Sequence, residues 1–110
     1  MTIPRFHLAF PVIELESTKK FYTEVLGCKL GRQSNKWIDF NLFGHQIVAH
    51  FSPDDCIKTN TNMVDGDTVP SRHFGVILSW EEWLALCKKI KKQKVRFMIC
   101  LLYTSPSPRD

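Results

Sequence analysis

The feature that most constrains this chain is an internal echo. His73-Phe74-Gly75-Val76-Ile77-Leu78 repeats the pattern of His7-Leu8-Ala9-Phe10-Pro11-Val12 at an offset of 66 residues: histidine, apolar, small, apolar, variable, apolar. In the first copy Phe6, Leu8, Phe10 and Val12 alternate with His7, Ala9 and Pro11, the period-two pattern of a strand with two different faces. His7 therefore falls on the face opposite the large apolar residues. A helix capped by Ser17 is expected next, with Phe21, Tyr22, Val25 and Leu26 as its apolar stripe and Gly27 in the left-handed position that ends it.

Three strands should follow, Cys28 to Gln33, Lys36 to Leu42 and Gln46 to Phe51, broken at Ser34-Asn35 and Phe43-Gly44. In the second, Ile38, Phe40 and Leu42 alternate with Trp37, Asp39 and Asn41; in the third, Ile47, Ala49 and Phe51 alternate with Gln46, Val48 and His50. Trp37 and Val48 among the polar positions suggest a lined cavity rather than a plain solvent face. Residues 52–72 are polar and aperiodic, with Asp65-Gly66-Asp67 as a turn, and are expected to form a linker or lid. After the second copy of the opening pattern, Ser79 to Glu82 is a capping box, Trp83, Leu84, Cys87 and Ile90 form the expected buried stripe, and Val95 to Ile99 resumes as a strand. Trp80 and Met98 also read as core residues. The first half thus reads βαβββ and the second βαβ. This predicts an α+β fold of paired βαβββ modules: a first module over 1–51, a linker or lid over 52–72, and an incomplete second module over 73–99.

Residues 100–110, Cys-Leu-Leu-Tyr-Thr-Ser-Pro-Ser-Pro-Arg-Asp, break with the composition before them. They match in every position the translation of a common transposase sequencing adapter, and are read as a non-native tail. The expectation is a C-terminally truncated chain whose missing strands and connections amount to roughly 20 to 40 residues.

Composition excludes several classes. The longest apolar run, Phe97 to Tyr103, has seven residues, against about 20 for a membrane-spanning helix. The start, Met-Thr-Ile-Pro-Arg-Phe-His, lacks the layout of a secretory signal, which suggests a cytoplasmic protein. Cys28, Cys56, Cys87 and Cys100 stand singly with no CxxC pair, so neither a disulfide framework nor structural zinc is expected. The net charge of +4 is local: six of the fifteen basic residues lie between Lys88 and Arg96, while residues 1–87 hold eight basic and ten acidic residues. Such a cluster at a helix C-terminus complements the helix dipole and solvates an exposed face, and no nucleic-acid partner is expected.

Together, His7-Leu8-Ala9-Phe10-Pro11-Val12, Phe21-Tyr22-x-x-Val25-Leu26-Gly27-Cys28, Trp37-Ile38-Asp39-Phe40 with Phe43-Gly44-His45-Gln46, and His73-Phe74-Gly75-Val76 resemble the vicinal oxygen chelate superfamily of glyoxalases, bleomycin-resistance proteins and extradiol dioxygenases. The resemblance covers residues 5–99, and its nearest subgroup is that of predicted extradiol dioxygenases. It implies two modules curled around a divalent metal, with His7 and His73 matching the first-strand ligands. A further carboxylate ligand is implied on the last strand of the second module, beyond Ile99. His50 stands near where glyoxalases place their first Glu and is a candidate ligand or acid/base group. Trp37, Asp39, His45 and Gln46 are candidate pocket residues; cross-strand pairing is the alternative for Trp37 and Asp39, and a structural role for His45.

Two histidines and a carboxylate on one face of iron suit an oxygenase that binds a diol and dioxygen together. A glyoxalase instead uses its metal as a Lewis acid while a carboxylate moves the proton. The resemblance therefore implies an Fe(II)- or Mn(II)-dependent, extradiol-type ring-cleaving enzyme acting on a small catecholic molecule, and homodimeric when intact. The alternatives are a glyoxalase-type isomerase using Ni(II) or Zn(II), and a non-enzymatic binder of an antibiotic or other small molecule. The 110-residue chain itself is expected to be inactive.

Overall fold

The computed structural model describes residues 3–56 and 72–93, together with the backbone of 61–64 and 67–70. The described residues fall into two units that divide after residue 57. The tail at 100–110, the strand expected over Val95 to Ile99, Met98 and the turn at Asp65-Gly66 lie outside the described residues.

The first unit is built on a mixed sheet of four strands, β1 (His7–Val12), β2 (Lys29–Gln33), β3 (Trp37–Leu42) and β4 (His45–Phe51), in the order β1-β4-β3-β2. β1 runs parallel to β4, and the other two pairings are antiparallel. This is the βαβββ module that the alternation predicts, with strand ends within a residue of the expected ones. Register is set by the two-residue turn between β3 and β4, where Phe43 (φ 50°) and Gly44 (φ 90°) both adopt the left-handed conformation favoured in tight hairpins. Gly44 tolerates this without a Cβ penalty; Phe43 is a rarer occupant, and Asn41 Oδ1 steadies the turn by accepting the Gly44 N–H at 2.7 Å. The turn places Leu42 opposite His45 and Asn41 opposite Gln46.

Between β1 and β2 lies helix α1 (Leu15–Lys20), which continues into a wider π-helical turn over Phe21–Val25, where the Leu26 N–H donates to Phe21 O, five residues back. The cap is Glu14 rather than the expected Ser17. The Glu14 backbone is extended and its carboxylate accepts the Ser17 N–H at 3.2 Å, while Thr18 Oγ1 donates to Glu14 O at 2.6 Å. An acceptor three residues upstream captures the free N–H first, so the helix starts earlier than a Ser-based reading allows. Gly27 takes the expected left-handed conformation (φ 75°) and the Cys28 N–H closes the turn on Tyr22 O at 2.8 Å.

The helix covers one face of the sheet through Tyr22, whose ring lies 5.7 Å from Phe10 and 5.0 Å from Phe40. Ile38, Phe40, Leu42, Ile47 and Ala49 are buried, and they share that face. Removing such side chains from water is the main source of stability for so small a unit.

In the second unit, β5 (Thr61–Val64) and β6 (Asp67–Pro70) pair antiparallel with Val64 opposite Asp67. The segment read as an aperiodic connection thus contains paired strands. The Asp-Gly dipeptide between two short runs is a hairpin signal that the polar composition masks. Residues 73–78, expected as a strand by their likeness to β1, carry none. The reason is in the topology. β1 is an edge strand whose ladder partner is β4, the last strand of its own module, and no equivalent last strand occurs among the described residues of the second unit.

Helix α2 (Trp80–Lys91) opens with the capping box as expected: Ser79 Oγ accepts the Glu82 N–H and Glu82 Oε1 accepts the Ser79 N–H, both at 3.2 Å. Its less exposed face is Trp83, Leu86, Cys87 and Ile90, at i, i+3, i+4 and i+7. Leu84 (38% exposed) and Trp80 (37%), both expected inside, lie off that stripe, although the Trp80 ring stacks on Trp83 at 5.2 Å. Lys88, Lys89, Lys91 and Lys92 are exposed, the solvated face expected of them. Cys28 and Cys87 are buried, as packing residues should be, and Cys56 is half-buried. Burial raises the Cys87 thiol above its usual range, with Lys91 opposing the shift.

Candidate functional site

Strand pairing defines the sheet face that α1 does not cover. Across β1 and β4, His7 pairs with Gln46, Ala9 with Val48 and Pro11 with His50. Across β4 and β3, Gln46 pairs with Asn41, Val48 with Asp39 and His50 with Trp37. Since paired residues point to the same side of a sheet, His7, Gln46, Val48, His50, Trp37, Asp39 and Asn41 share the face opposite Phe10 and Phe40. The parity argument for His7 holds.

At one end of this face four side chains form a connected series. His7 Nδ1 lies 2.8 Å from Gln46 Oε1. Gln46 Nε2 donates to Asp39 Oδ2 at 3.4 Å, and the same oxygen lies 3.5 Å from Arg32 Nε. Asp39 is buried (7% exposed), whereas Arg32 reaches into solvent and also lies over the Trp37 ring, 5.6 Å from its centroid. The guanidinium therefore joins a carboxylate on one side to an aromatic face on the other. Two features of β2 permit this. Between Leu30 and Gln33 its register slips by a residue against β3, which brings Arg32 beside Asp39. Gly31 also lies so close to β3 that a Cβ there would stand 3.0 Å from the Asp39 Cβ.

The structure sorts the sequence candidates. His7, Gln46 and Asp39 come together, with Gln46 and Asp39 bonded to each other. His45 is structural: its Nδ1 accepts the Phe6 N–H at 2.8 Å, fastening the chain entering β1 to the start of β4. Trp37 is half-buried beneath Arg32. His50 is exposed and on the His7 face, but at the other end of it. It stands four residues along β4 from the partner of His7, roughly 13 Å at about 3.3 Å per residue. His73 is exposed and belongs to the second unit.

Among the described residues no three His, Cys, Asp or Glu side chains group closely enough to hold a metal. The donor chemistry at His7 nevertheless suits one: an exposed imidazole, fixed through one nitrogen, with Nε2 unbonded among the described residues. Sequence reasoning missed Arg32 entirely, because its contact depends on a slip in register that no local pattern announces. The link between Asp39 and Gln46 was open to it, since a two-residue turn at 43–44 makes them diagonal neighbours.

Comparison with known proteins agrees with this architecture. Residues 6–101 match the family model described as Glyoxalase/Bleomycin resistance protein/Dioxygenase superfamily, and the chain belongs to that superfamily. Among solved structures it is similar to a glyoxalase/bleomycin resistance protein/dioxygenase from Alicyclobacillus acidocaldarius, with 33% identity and a TM-score of 0.66 over 81% of this chain and 62% of that one. It shares the fold of the genomically encoded fosfomycin resistance protein FosX from Listeria monocytogenes, with 18% identity, a TM-score of 0.59, and coverage of 84% of this chain and 67% of that one. A mutant of FosX complexed with Mn(II) and 1S,2S-dihydroxypropylphosphonic acid gives 17% identity and a TM-score of 0.54, over 84% of this chain and 65% of that one. The chain thus spans about three fifths of the Alicyclobacillus protein. No curated protein matches it significantly. Among the described residues no helix is long and apolar enough to cross a membrane.

Proposed function

We propose that this chain is part of a divalent-metal enzyme acting on a small molecule with vicinal oxygens, and specifically that it serves extradiol-type cleavage of a catecholic ring. The observation that carries the reading is the placement of His7. It stands on the face that α1 does not cover, with one imidazole nitrogen held by Gln46 and the other unbonded among the described residues, at the head of a strip formed by Ala9, Val48, Pro11 and Trp37. A flat aromatic ring suits an apolar strip bounded by an indole better than a charged substrate does.

In this reading His7 supplies one imidazole to the metal and His73 a second. Fe(II) or Mn(II) is the favoured ion. The carboxylate ligand is assigned to the last strand of the second module, in a fuller-length protein. The bound ion supplies Lewis acidity to the two substrate oxygens and, as iron, an affinity for dioxygen. The chain's own contribution is to hold His7 in one orientation, to place Trp37 along the ring and to keep Asp39 occupied with Arg32 and Gln46. His50, at the far end of the strip, is outside the ligand set. Homodimerisation and a cytoplasmic setting belong to the same proposal and rest on the resemblance.

The test is a full-length protein loaded anaerobically with Fe(II) and offered a panel of catechols, with ring opening followed by absorbance. Turnover that is lost in His7→Ala supports the reading. Failure to retain metal together with inactivity on the whole panel overturns it. Stoichiometric binding of an aromatic ligand without turnover would identify a sequestering protein instead, and Ni(II)- or Zn(II)-dependent action on a hemithioacetal would identify an isomerase.

A further inference from the structure

A neutral imidazole carries its proton on Nδ1 or on Nε2, and only the nitrogen without the proton can bind a metal or accept a proton. In this chain the choice at His7 is made by residues one and two places removed along a series of hydrogen bonds. Asp39 Oδ2 is a carboxylate oxygen and can only accept, so the Gln46 group facing it at 3.4 Å must be the NH2. That fixes the orientation of the amide. With its NH2 turned to Asp39, Gln46 presents Oε1 to His7, and Oε1 too can only accept. The 2.8 Å contact then requires that His7 Nδ1 carry the proton. Arg32 holds the carboxylate from the other side at 3.5 Å, which keeps Oδ2 an acceptor.

We infer that Gln46 and Asp39 are positioning residues whose task is to hold His7 as the Nδ1–H tautomer, with the Nε2 lone pair turned outward. The role differs from that of pocket-lining groups. Both residues act through His7, and neither needs to touch a substrate. Burial of Asp39 strengthens the device, because a carboxylate shielded from water orients its amide partner more firmly than an exposed one.

The molecule carries its own control. His45, adjacent to Gln46 in β4, has its Nδ1 occupied as an acceptor of the Phe6 N–H at 2.8 Å, so its proton must sit on Nε2. The two histidines at the head of the β1–β4 ladder are thus set in opposite tautomers by their surroundings.

This inference deepens the metal reading of His7, since an open Nε2 is what a ligand needs, but its first readout is made without metal. The 110-residue chain is labelled with 15N at histidine, and long-range 15N–1H correlation spectra are recorded at about pH 8, above the ordinary histidine range. His7→Gln and His45→Gln spectra assign the signals. The expected result is a protonated-type Nδ1 with an unprotonated-type Nε2 for His7, and the reverse for His45. In Gln46→Leu, His7 should lose its Nδ1–H preference while His45 keeps its own pattern; Asp39→Asn, which lets the amide turn over, should give His7 a mixed population. An Nε2–H form of His7 in the unsubstituted chain overturns the inference, as does an Nδ1–H form that survives Gln46→Leu. Mn(II) is then added to the full-length protein carrying the same label, and broadening of the His7 signals is measured. Gln46→Leu should require about tenfold to a hundredfold more Mn(II) for the same broadening. If Mn(II) leaves His7 sharp in every variant while the tautomers behave as stated, the metal reading fails and the tautomer assignment stands.

Discussion

Tyr22 stacks on Phe40 with ring centroids 5.0 Å apart and 27° between the ring planes, so one aromatic pair joins the helical segment to the middle of the sheet. Phe40 is 1% exposed and sits on β3 between Leu30 of β2 and Ile47 of β4. Phe40→Ala would remove a fully buried ring and leave a cavity that strands on both sides prevent from closing. The expected loss is about 3–5 kcal/mol, a large share of the roughly 5–15 kcal/mol that holds a domain together. Urea denaturation followed by tryptophan fluorescence measures it. A loss under about 1 kcal/mol would mean that Phe40 is not the centre of this core.

The same packing governs Tyr22 at high pH. Burial disfavours the phenolate and negative charge at Cys28 adds to the effect, so the Tyr22 pKa is pushed up from 10.0 to about 12. A folded-state pKa above the unfolded one makes a contribution that is complete below the unfolded value and lost as pH rises through the folded one. Stability should therefore fall more steeply between about 10 and 12 than it does in Tyr22→Phe, which lacks the titrating group. Thermal melts of both proteins across that window provide the check, and parallel slopes would contradict it.

The first module was legible in the sequence to a useful depth, because its strands are half-buried and alternate strictly; Ile38, Phe40 and Leu42 against Trp37, Asp39 and Asn41 announce both strand and faces. That alternation also put His7 on the correct side. What stayed hidden depends on pairing rather than pattern. How far along the strand His50 stands from His7 is set by β1–β4 register, Arg32 meets Asp39 only through the slip in β2, and Glu14 displaces Ser17 as a cap through the reach of one carboxylate. The second unit was read least well. Residues 73–78 have the sequence of β1, but among the described residues no strand lies beside them as β4 lies beside β1.

Gly31 offers a test of the slipped register. An added Cβ would lie 3.0 Å from the Asp39 Cβ and 3.4 Å from its backbone oxygen, both on an inner strand with little room to yield. Gly31→Ala should cost on the order of 1–3 kcal/mol through overpacking. It should also disturb the Asp39 contacts with Gln46 and Arg32, visible as changed amide shifts at Gln46 and a changed indole environment at Trp37. A stability equal to that of the unsubstituted chain would show that β2 and β3 are not so closely apposed.

The separation of His7 from His50 leads to the most direct functional prediction. Both face the same side of the sheet, but one is paired with Gln46 and the other stands four residues further along β4 beside Pro11 and Trp37. In the proposed site the ion is held by His7 and His73 and not by His50. Losing a coordinating imidazole costs metal affinity outright, whereas a histidine roughly 13 Å down the strand contributes only a weak, solvent-screened charge effect. His50→Ala should thus leave Mn(II) affinity within about twofold of the parent, while His7→Ala and His73→Ala should each weaken it by about tenfold or more. Electron paramagnetic resonance of free Mn(II) during titration reads all three variants on one scale. Equal losses at His7 and His50 would demand a strand register other than the one that pairs Pro11 with His50.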